Sequence, residues 1–255
     1  MTRTLLTGAT GTLGQELRPR LRDAGYDVRA TSRDPPAGGG GDEWIAMDLA
    51  AGTGIEAAVE DVDVVVHAAS DAQGDAEAVD VRGTGRLLDA ADDAGVSNVL
   101  YVSIVGVDEV PYSYYQHKLA AEERVGAHAV PSTVLRATQF HGFVDDLLGR
   151  VARLPIWPLP TDVRIQPVDE REIADAVVEH ATEEPAGRLP DVGGPEVRTA
   201  GDLARAYRDA RGLRRPIVRL PVPGETASAF RAGEATCPDR TVGNTTFEDW
   251  LDERY

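Results

Sequence analysis

Thr4-Leu5-Leu6-Thr7-Gly8-Ala9-Thr10-Gly11-Thr12-Leu13-Gly14 holds most of what is needed to place this 255-residue chain in a fold class. A short apolar run leads into glycines spaced G-x-x-G-x-x-G. Leu13, Leu17 and Leu21 then recur at helical spacing until Gly25. That order reads as strand, glycine turn, helix. A helix N-terminus offers unpaired N–H groups and a partial positive charge to a pyrophosphate, and glycines let the backbone approach it closely. A purely structural glycine turn is the competing reading. Pro19 falls inside the predicted helix, where it costs about 3 kcal/mol and predicts a kink.

Outward from this unit, strands and helices alternate. Tyr26–Thr31, Trp44–Met47, Val62–His67, Asn98–Ser103 and Ser132–Arg136 read as strands. Ile55–Glu60, the Ala-rich residues 75–94 and Tyr114–Gly126 read as helices, and Gly38–Gly41 as a flexible loop. Val62–His67 is nearly all β-branched, as in a strand covered on both faces. The alternation predicts an α/β chain with a Rossmann-type, doubly wound parallel sheet. Later elements are less regular. They are a Pro-rich connector at Leu154–Pro160, a strand at Val163–Val168, a helix at Glu170–Ala181 and a helix capped by Thr199 that reaches Arg211. A strand at Ile217–Leu220 and a helix at Phe247–Leu251 follow. With no repeat or linker, the expectation is one domain over 1–255. Its dinucleotide-binding core runs to residue 137, and 138–255 add a small C-terminal α/β substrate lobe.

Composition removes several function classes. Asp and Glu total 43 against 26 Lys and Arg, a net charge of -17, so the long-range field repels nucleic acid and anionic membranes. No apolar run approaches the roughly 20 residues that span a bilayer. The first residues lack the three-part form of a secretory signal, so the expected location is the cytoplasm. One cysteine, Cys237, forms no intrachain disulfide, and no His/Cys/carboxylate cluster has metal-ligand spacing. The acidity fits a halophilic protein in a salt-rich cytosol or, more blandly, a GC-rich genome with an acidic surface. Codon bias accounts for the missing lysines and not for the excess of 17 carboxylates, which favours the first.

The fragments TGATGTLG, Asp48-Leu49, HAAS at 67–70 and Tyr114 to Lys118 together resemble the short-chain dehydrogenase/reductase superfamily. The closer resemblance is to its atypical branch of NmrA-like and small NAD(P)-binding oxidoreductases. It is carried by SIVGVDEVPYSYYQHKLAAEE, LRATQFHGF, IQPVDEREIADAV, GGPEV and the terminal TFEDWL, and covers essentially the whole chain. It implies a dinucleotide over Gly8, Thr10, Gly11, Thr12, Leu13 and Gly14, with Asp48 and Leu49 flanking the adenine and Ala68, Ala69 and Ser70 lining the cofactor. After the second strand, where an acidic residue selects NAD, stand Ser32 and Arg33. A guanidinium pairs well with a 2′-phosphate, so NADP is preferred. Asp34 keeps NAD open, and Arg33 as a plain loop arginine is the alternative.

Tyr114 and Lys118 are four apart on a predicted helix and project from one face; Ser103 ends the preceding strand. In the superfamily this trio carries carbonyl chemistry. The ammonium lowers the phenol's pKa and binds the nicotinamide ribose, the serine donates to the substrate oxygen, and the tyrosine exchanges the proton. The bland alternative is a chance Tyr/Lys pair. Composition weighs against it: 25 of 26 basic residues are Arg, and the single lysine is Lys118. A planar guanidinium does not replace a compact ammonium wedged between phenol and ribose. Tyr115 is the competing phenol.

By resemblance Gln139, Phe140, His141 and Phe143 line the substrate site, with ordinary loop packing as the alternative. His67 reads as packed or cofactor-adjacent, His117 and His128 as facing solvent, and Trp157 as a lid or rim. The run Arg205, Arg208, Arg211, Arg214 and Arg215 reads as a salt-bridged or solvated face. The leading function is hydride transfer between NADP(H) and a small carbonyl, quinone or related substrate. The alternatives are a non-catalytic dinucleotide-binding sensor or scaffold, and a nucleotide-sugar epimerase or dehydratase. Nothing in the chain fixes the oligomeric state.

Overall fold

The computed structural model describes residues 1–37 and 42–255, so the loop predicted at Gly38–Gly41 lies outside the described residues. In chain order the elements begin with β1 (Arg3–Thr7), α1 (Thr12–Asp23), β2 (Asp27–Ser32), β3 (Glu43–Ala46), α2 (Ile55–Val59) and β4 (Val64–His67). A π-helical turn (Glu77–Gly83) runs into α3 (Thr84–Asp93), followed by β5 (Asn98–Ile104), α4 (Ser113–Ala127) and β6 (Ser132–Ala137). Next come α5 (His141–Val151), β7 (Trp157–Leu159), β8 (Arg164–Ile165), α6 (Glu170–His180) and β9 (Gly187–Arg188). β10 (Arg198–Thr199), α7 (Ala200–Ala210), β11 (Ile217–Arg219), α8 (Glu225–Ala232) and α9 (Phe247–Arg254) complete the chain.

The chain divides into two compact units. The first comprises Met1–Ser103, Gln116–Leu135 and Ala174–Pro190; the second comprises Ile104–Tyr115, Arg136–Ile173 and Asp191–Tyr255.

The first unit is built on a seven-stranded parallel sheet in the order β3-β2-β1-β4-β5-β6-β9. The order reverses between β1 and β4, which opens a crevice at the carboxyl ends of those strands. Alternating strand and helix predicted this Rossmann-type arrangement. Inward-facing Leu5, Val65 and Val99 of the strands pack with Leu87, Leu88 and Ala91 of α3 and with Ala121 and Val125 of α4. Full burial of each large aliphatic side chain contributes about 1.5–3 kcal/mol. α1 runs uninterrupted through Pro19. The helix predicted over 75–94 is instead a π-helical turn followed by an α-helix. At their junction a Cβ on Gly83 would stand 2.8 Å from Leu49 Cβ.

The second unit packs around Val144, Leu148, Trp157, Leu159, Leu203, Tyr207, Phe247 and Leu251. Thr199 caps α7 as predicted, in a reciprocal box with Asp202. Three expectations are corrected here. The connector at Leu154–Pro160 contains a strand, since β7 pairs in parallel with β11. Trp157 is no lid or rim: it is fully buried against Tyr207, with ring centroids 6.0 Å apart. The strand predicted at Val163–Val168 shrinks to Arg164–Ile165, paired antiparallel with β10.

Candidate functional site: a glycine-lined crevice and a buried lysine

Close approach of backbone to backbone fixes the glycine turn. Gly8 lies at φ +69°, and a Cβ there would stand 2.7 Å from Ala68 O and Ala69 N, so a side chain would collide with the chain leaving β4. A Cβ on Gly14 would stand 2.1 Å from Gly8 O. Gly11 caps α1 with no side-chain hydrogen bond, and no acidic residue occupies the first turn. The leading amides of α1 thus have no side-chain acceptor of the kind that usually fills a helix start, and the donor set suits a diphosphate.

A cavity of about 360 Å³ opens at this point in the first unit. Of the predicted cofactor residues, it brings together Gly8, Thr10, Gly11, Ser32, Arg33, Asp48, Leu49, Ala68, Ala69 and Ser70, and it adds Asp34 and Asp71. Thr12, Leu13, Gly14 and Lys118 are not on its wall. Leu13 and Gly14 are buried. Ser32 Oγ and the Asp34 backbone hydrogen-bond each other at 3.2 Å. Asp48 accepts from the amides of Ala50 and Ala51 at 2.9 and 3.1 Å, so its carboxylate shapes its own turn. Arg33 is exposed and forms no ion pair among the described residues.

Lys118 is 3% exposed. Its ammonium donates to the Val102 carbonyl at 2.9 Å, lies 4.2 Å from the centre of the Tyr101 ring and 3.8 Å from an oxygen of Asp80. Burial pulls its pKa down to about 8, against the opposing pull of Asp80 and Glu122. Asp80, itself 1% exposed, accepts from Ser70 Oγ at 2.6 Å and from the Asp71 amide at 3.0 Å. One carboxylate therefore joins the cavity wall to the lysine. His67 contacts Thr7 Oγ1 at 2.7 Å and Thr84 Oγ1 at 2.9 Å; burial, then the charge of Lys118, push its pKa down to about 3. It is a packed, neutral histidine. His128 is half-buried and meets Asp89 at 3.3 Å, and His117 is half-buried as well, so neither is the solvent-facing residue expected.

Ser103 ends the first segment of the first unit; it is buried, its Oγ without a hydrogen-bond partner among the described residues. Tyr114 lies half-buried in the first turn of α4, one helical turn before Lys118. Tyr115 is a poor proton donor: it is buried, accepts from Gln139 Nε2 at 3.2 Å, and burial pushes its pKa up to about 12.

In the second unit the four predicted substrate residues behave differently from one another. Gln139 also donates to Ala235 O at 3.4 Å, while its buried Oε1 has no partner among the described residues. Phe140 precedes α5 and bridges to Val168. His141 is fully buried against Phe247 and Trp250, with Nε2 at 3.1 Å from Thr245 O, so packing accounts for it. Phe143 is 53% exposed. The arginine run is tied down in part: Arg205 pairs with Asp202, Arg208 with Asp209, and Arg211 donates to Tyr207 Oη at 2.6 Å.

The sequence reading missed Asp80. Its signal was spacing: Ala76, Asp80, Thr84, Leu87, Leu88 and Ala91 form one buried stripe, and an acid on such a stripe needs a partner. Among the described residues no group of His, Cys, Asp and Glu could hold a metal, and no helix is long and apolar enough to cross a membrane.

Comparison with known proteins agrees with this geometry. An uncharacterized protein of Mycobacterium tuberculosis is 26% identical over 228 residues, which is 87% of this chain and 24% of that one, so the chain spans about a quarter of that relative's length. The photosystem II assembly factor Ycf39 of Cyanophora paradoxa is 24% identical over 86% of this chain and 71% of its own. The NADPH-dependent quinone oxidoreductase of Escherichia coli, solved with NADPH, shares the fold at a TM-score of 0.80 and 16% identity, covering 98% of this chain and 99% of that one. Residues 8–184 match the model of the NAD(P)H-binding family, and to that family the chain belongs.

Proposed function

We propose that the chain is an NADP(H)-dependent oxidoreductase of short-chain dehydrogenase/reductase type, acting on a small carbonyl, quinone or related acceptor. The observation that carries this reading is the burial of the chain's one lysine, with its amine fixed on Asp80 and Val102 O. An ammonium held in an apolar interior is costly and is kept where its charge is used.

When bound, the dinucleotide supplies hydride chemistry at its nicotinamide. The loop Gly8–Gly11 and the first amides of α1 (Thr12, Leu13, Gly14) hold its diphosphate, Asp48 and Leu49 flank the adenine, and Ala68 to Ser70 line the remaining wall. Ser32 and Arg33 select the 2′-phosphate, which is supported by a guanidinium that has no ion pair among the described residues. Tyr114 gives its proton to the acceptor oxygen. The Lys118 ammonium, one turn along the same helix, makes the phenol a better acid and binds the ribose. Ser103 Oγ donates to the same oxygen and stabilises the charge that gathers there. Gln139 Oε1 is an acceptor for a polar group of the substrate.

The test is a carbonyl and quinone panel with NADPH and NADH on wild type, Tyr114→Phe and Arg33→Ala. Tyr114→Phe lowers kcat/KM by about 10²–10⁴, and Arg33→Ala removes the preference for NADPH. Tight NADPH binding with no turnover on any acceptor overturns the reading. It favours a non-catalytic dinucleotide-binding factor, the role that the similarity to an assembly factor supports. Turnover of a nucleotide sugar without net change in NAD(P)H points instead to an epimerase.

A further inference from the structure

We infer that Asp80 is the counter-ion of Lys118 and a positioning residue that ties the state of this lysine to the wall of the dinucleotide cavity. Its place in catalysis rests on the function proposed above; the ion pair itself does not.

Asp80 sits in the π-helical turn, and such turns redirect a side chain that a regular helix would place elsewhere. One carboxylate oxygen accepts from Ser70 Oγ at 2.6 Å and lies 3.8 Å from Lys118 Nζ. The other accepts from the Asp71 amide at 3.0 Å. Ser70 and Asp71 are cavity-lining residues, so the carboxylate is braced by the cavity wall, and the oxygen that accepts from Ser70 also faces the ammonium. The Val102 carbonyl and the Tyr101 ring come from β5, His67 of β4 is held neutral, and Glu122 stands one turn later on α4. Asp80 is buried, whereas Glu122 is half-buried and shares its field with solvent. Hydrogen bonds from Ser70 Oγ and the Asp71 amide hold the carboxylate in place, and its charge opposes the burial that lowers the lysine's pKa.

Because Lys118 is the only lysine, growth on ¹³C-lysine gives the full chain a single side-chain Cε resonance, and its titration reads one residue. In wild type the resonance titrates below the range of free lysine. In Asp80→Asn, nearly the same shape without the charge, the midpoint falls by about one unit or more, and in Glu122→Gln it falls less. An unchanged midpoint in Asp80→Asn, or a larger shift in Glu122→Gln, overturns the assignment.

Should Asp80→Asn fail to fold, Lys118→Met and the double variant Asp80→Asn/Lys118→Met are compared by urea unfolding. Partners in a buried pair leave the double variant at least as stable as the weaker single, and folding of the double where a single fails supports the pair. A double variant less stable than both singles, or unfolded along with them, overturns it. Where turnover exists, kcat of Asp80→Asn falls off at the lower pH at which its lysine loses charge. Absence of turnover in wild type removes the oxidoreductase reading and leaves the lysine titration as a valid test of the pair.

Discussion

At the scale of single residues, His67 shows how the interior silences a titratable group. Both ring nitrogens meet threonine hydroxyls, and burial, assisted by the nearby Lys118 charge, holds the folded-state pKa at about 3 against an ordinary 6.5. Between those values the unfolded chain binds a proton that the native state refuses, so this histidine makes stability fall as pH falls through the window. His67→Asn should flatten the loss of unfolding free energy over that range, measured by urea denaturation. Equal slopes in the two proteins would mean that His67 takes up its proton in the native state. Legibility at this scale was uneven. Lys118 stood out because a chain that uses Arg elsewhere kept a lysine there. Asp80 did not, because an acid in an Ala-rich segment looks like part of a solvated face until its register with buried neighbours is counted. His141 looked like a substrate residue from its place after β6, and only the packing of Phe247 and Trp250 around it shows another use.

Elements were readable where one physical signal dominated. β4 followed from its β-branched run, α1 from its leucine spacing and α7 from its cap. β9 and β10 have two residues each, too few for any periodicity to register, and β8 kept only two of the six residues read as strand. β7 was hidden by Pro158, which an edge position tolerates. α5 went unread because its first residues were assigned to the substrate site. The glycine turn and α1 allow a direct test of element packing. Gly14→Ala drives a methyl into the backbone of Gly8 and Ala9, atoms that cannot swing aside. It should cost about 2 kcal/mol or more and weaken NADPH binding. Gly126→Ala, on α4 with nothing within 4 Å of the new methyl, should instead gain up to about 1 kcal/mol from helix propensity. Urea midpoints for the pair check both; a neutral Gly14→Ala would mean that the turn yields.

At the scale of the molecule, alternation of strand and helix together with the opening glycines was enough for the sheet and its crevice. The division into two units was not visible in the sequence, because segments distant along the chain return to each unit and no linker marks the exchange. The charge of -17 acts on the whole molecule. Surface pairs such as Arg3–Asp27 and Arg198–Glu248 cancel locally, and exposed pairs are worth about 0–1 kcal/mol each. The unbalanced carboxylates repel one another over distances that salt screens. The unfolding temperature should therefore rise from dilute buffer to molar potassium chloride, as differential scanning calorimetry would show; a flat or falling curve would mean that the local pairs outweigh the net repulsion.

The buried amine of Lys118 has a practical corollary. An endoprotease that cuts after lysine finds one bond in the chain, Lys118–Leu119, inside α4 with its recognition group sealed from the enzyme. Digestion should stall on the native protein. When the helix opens, it should release two fragments, 1–118 and 119–255, so a gel with two new bands becomes a clock for the breathing of the first unit.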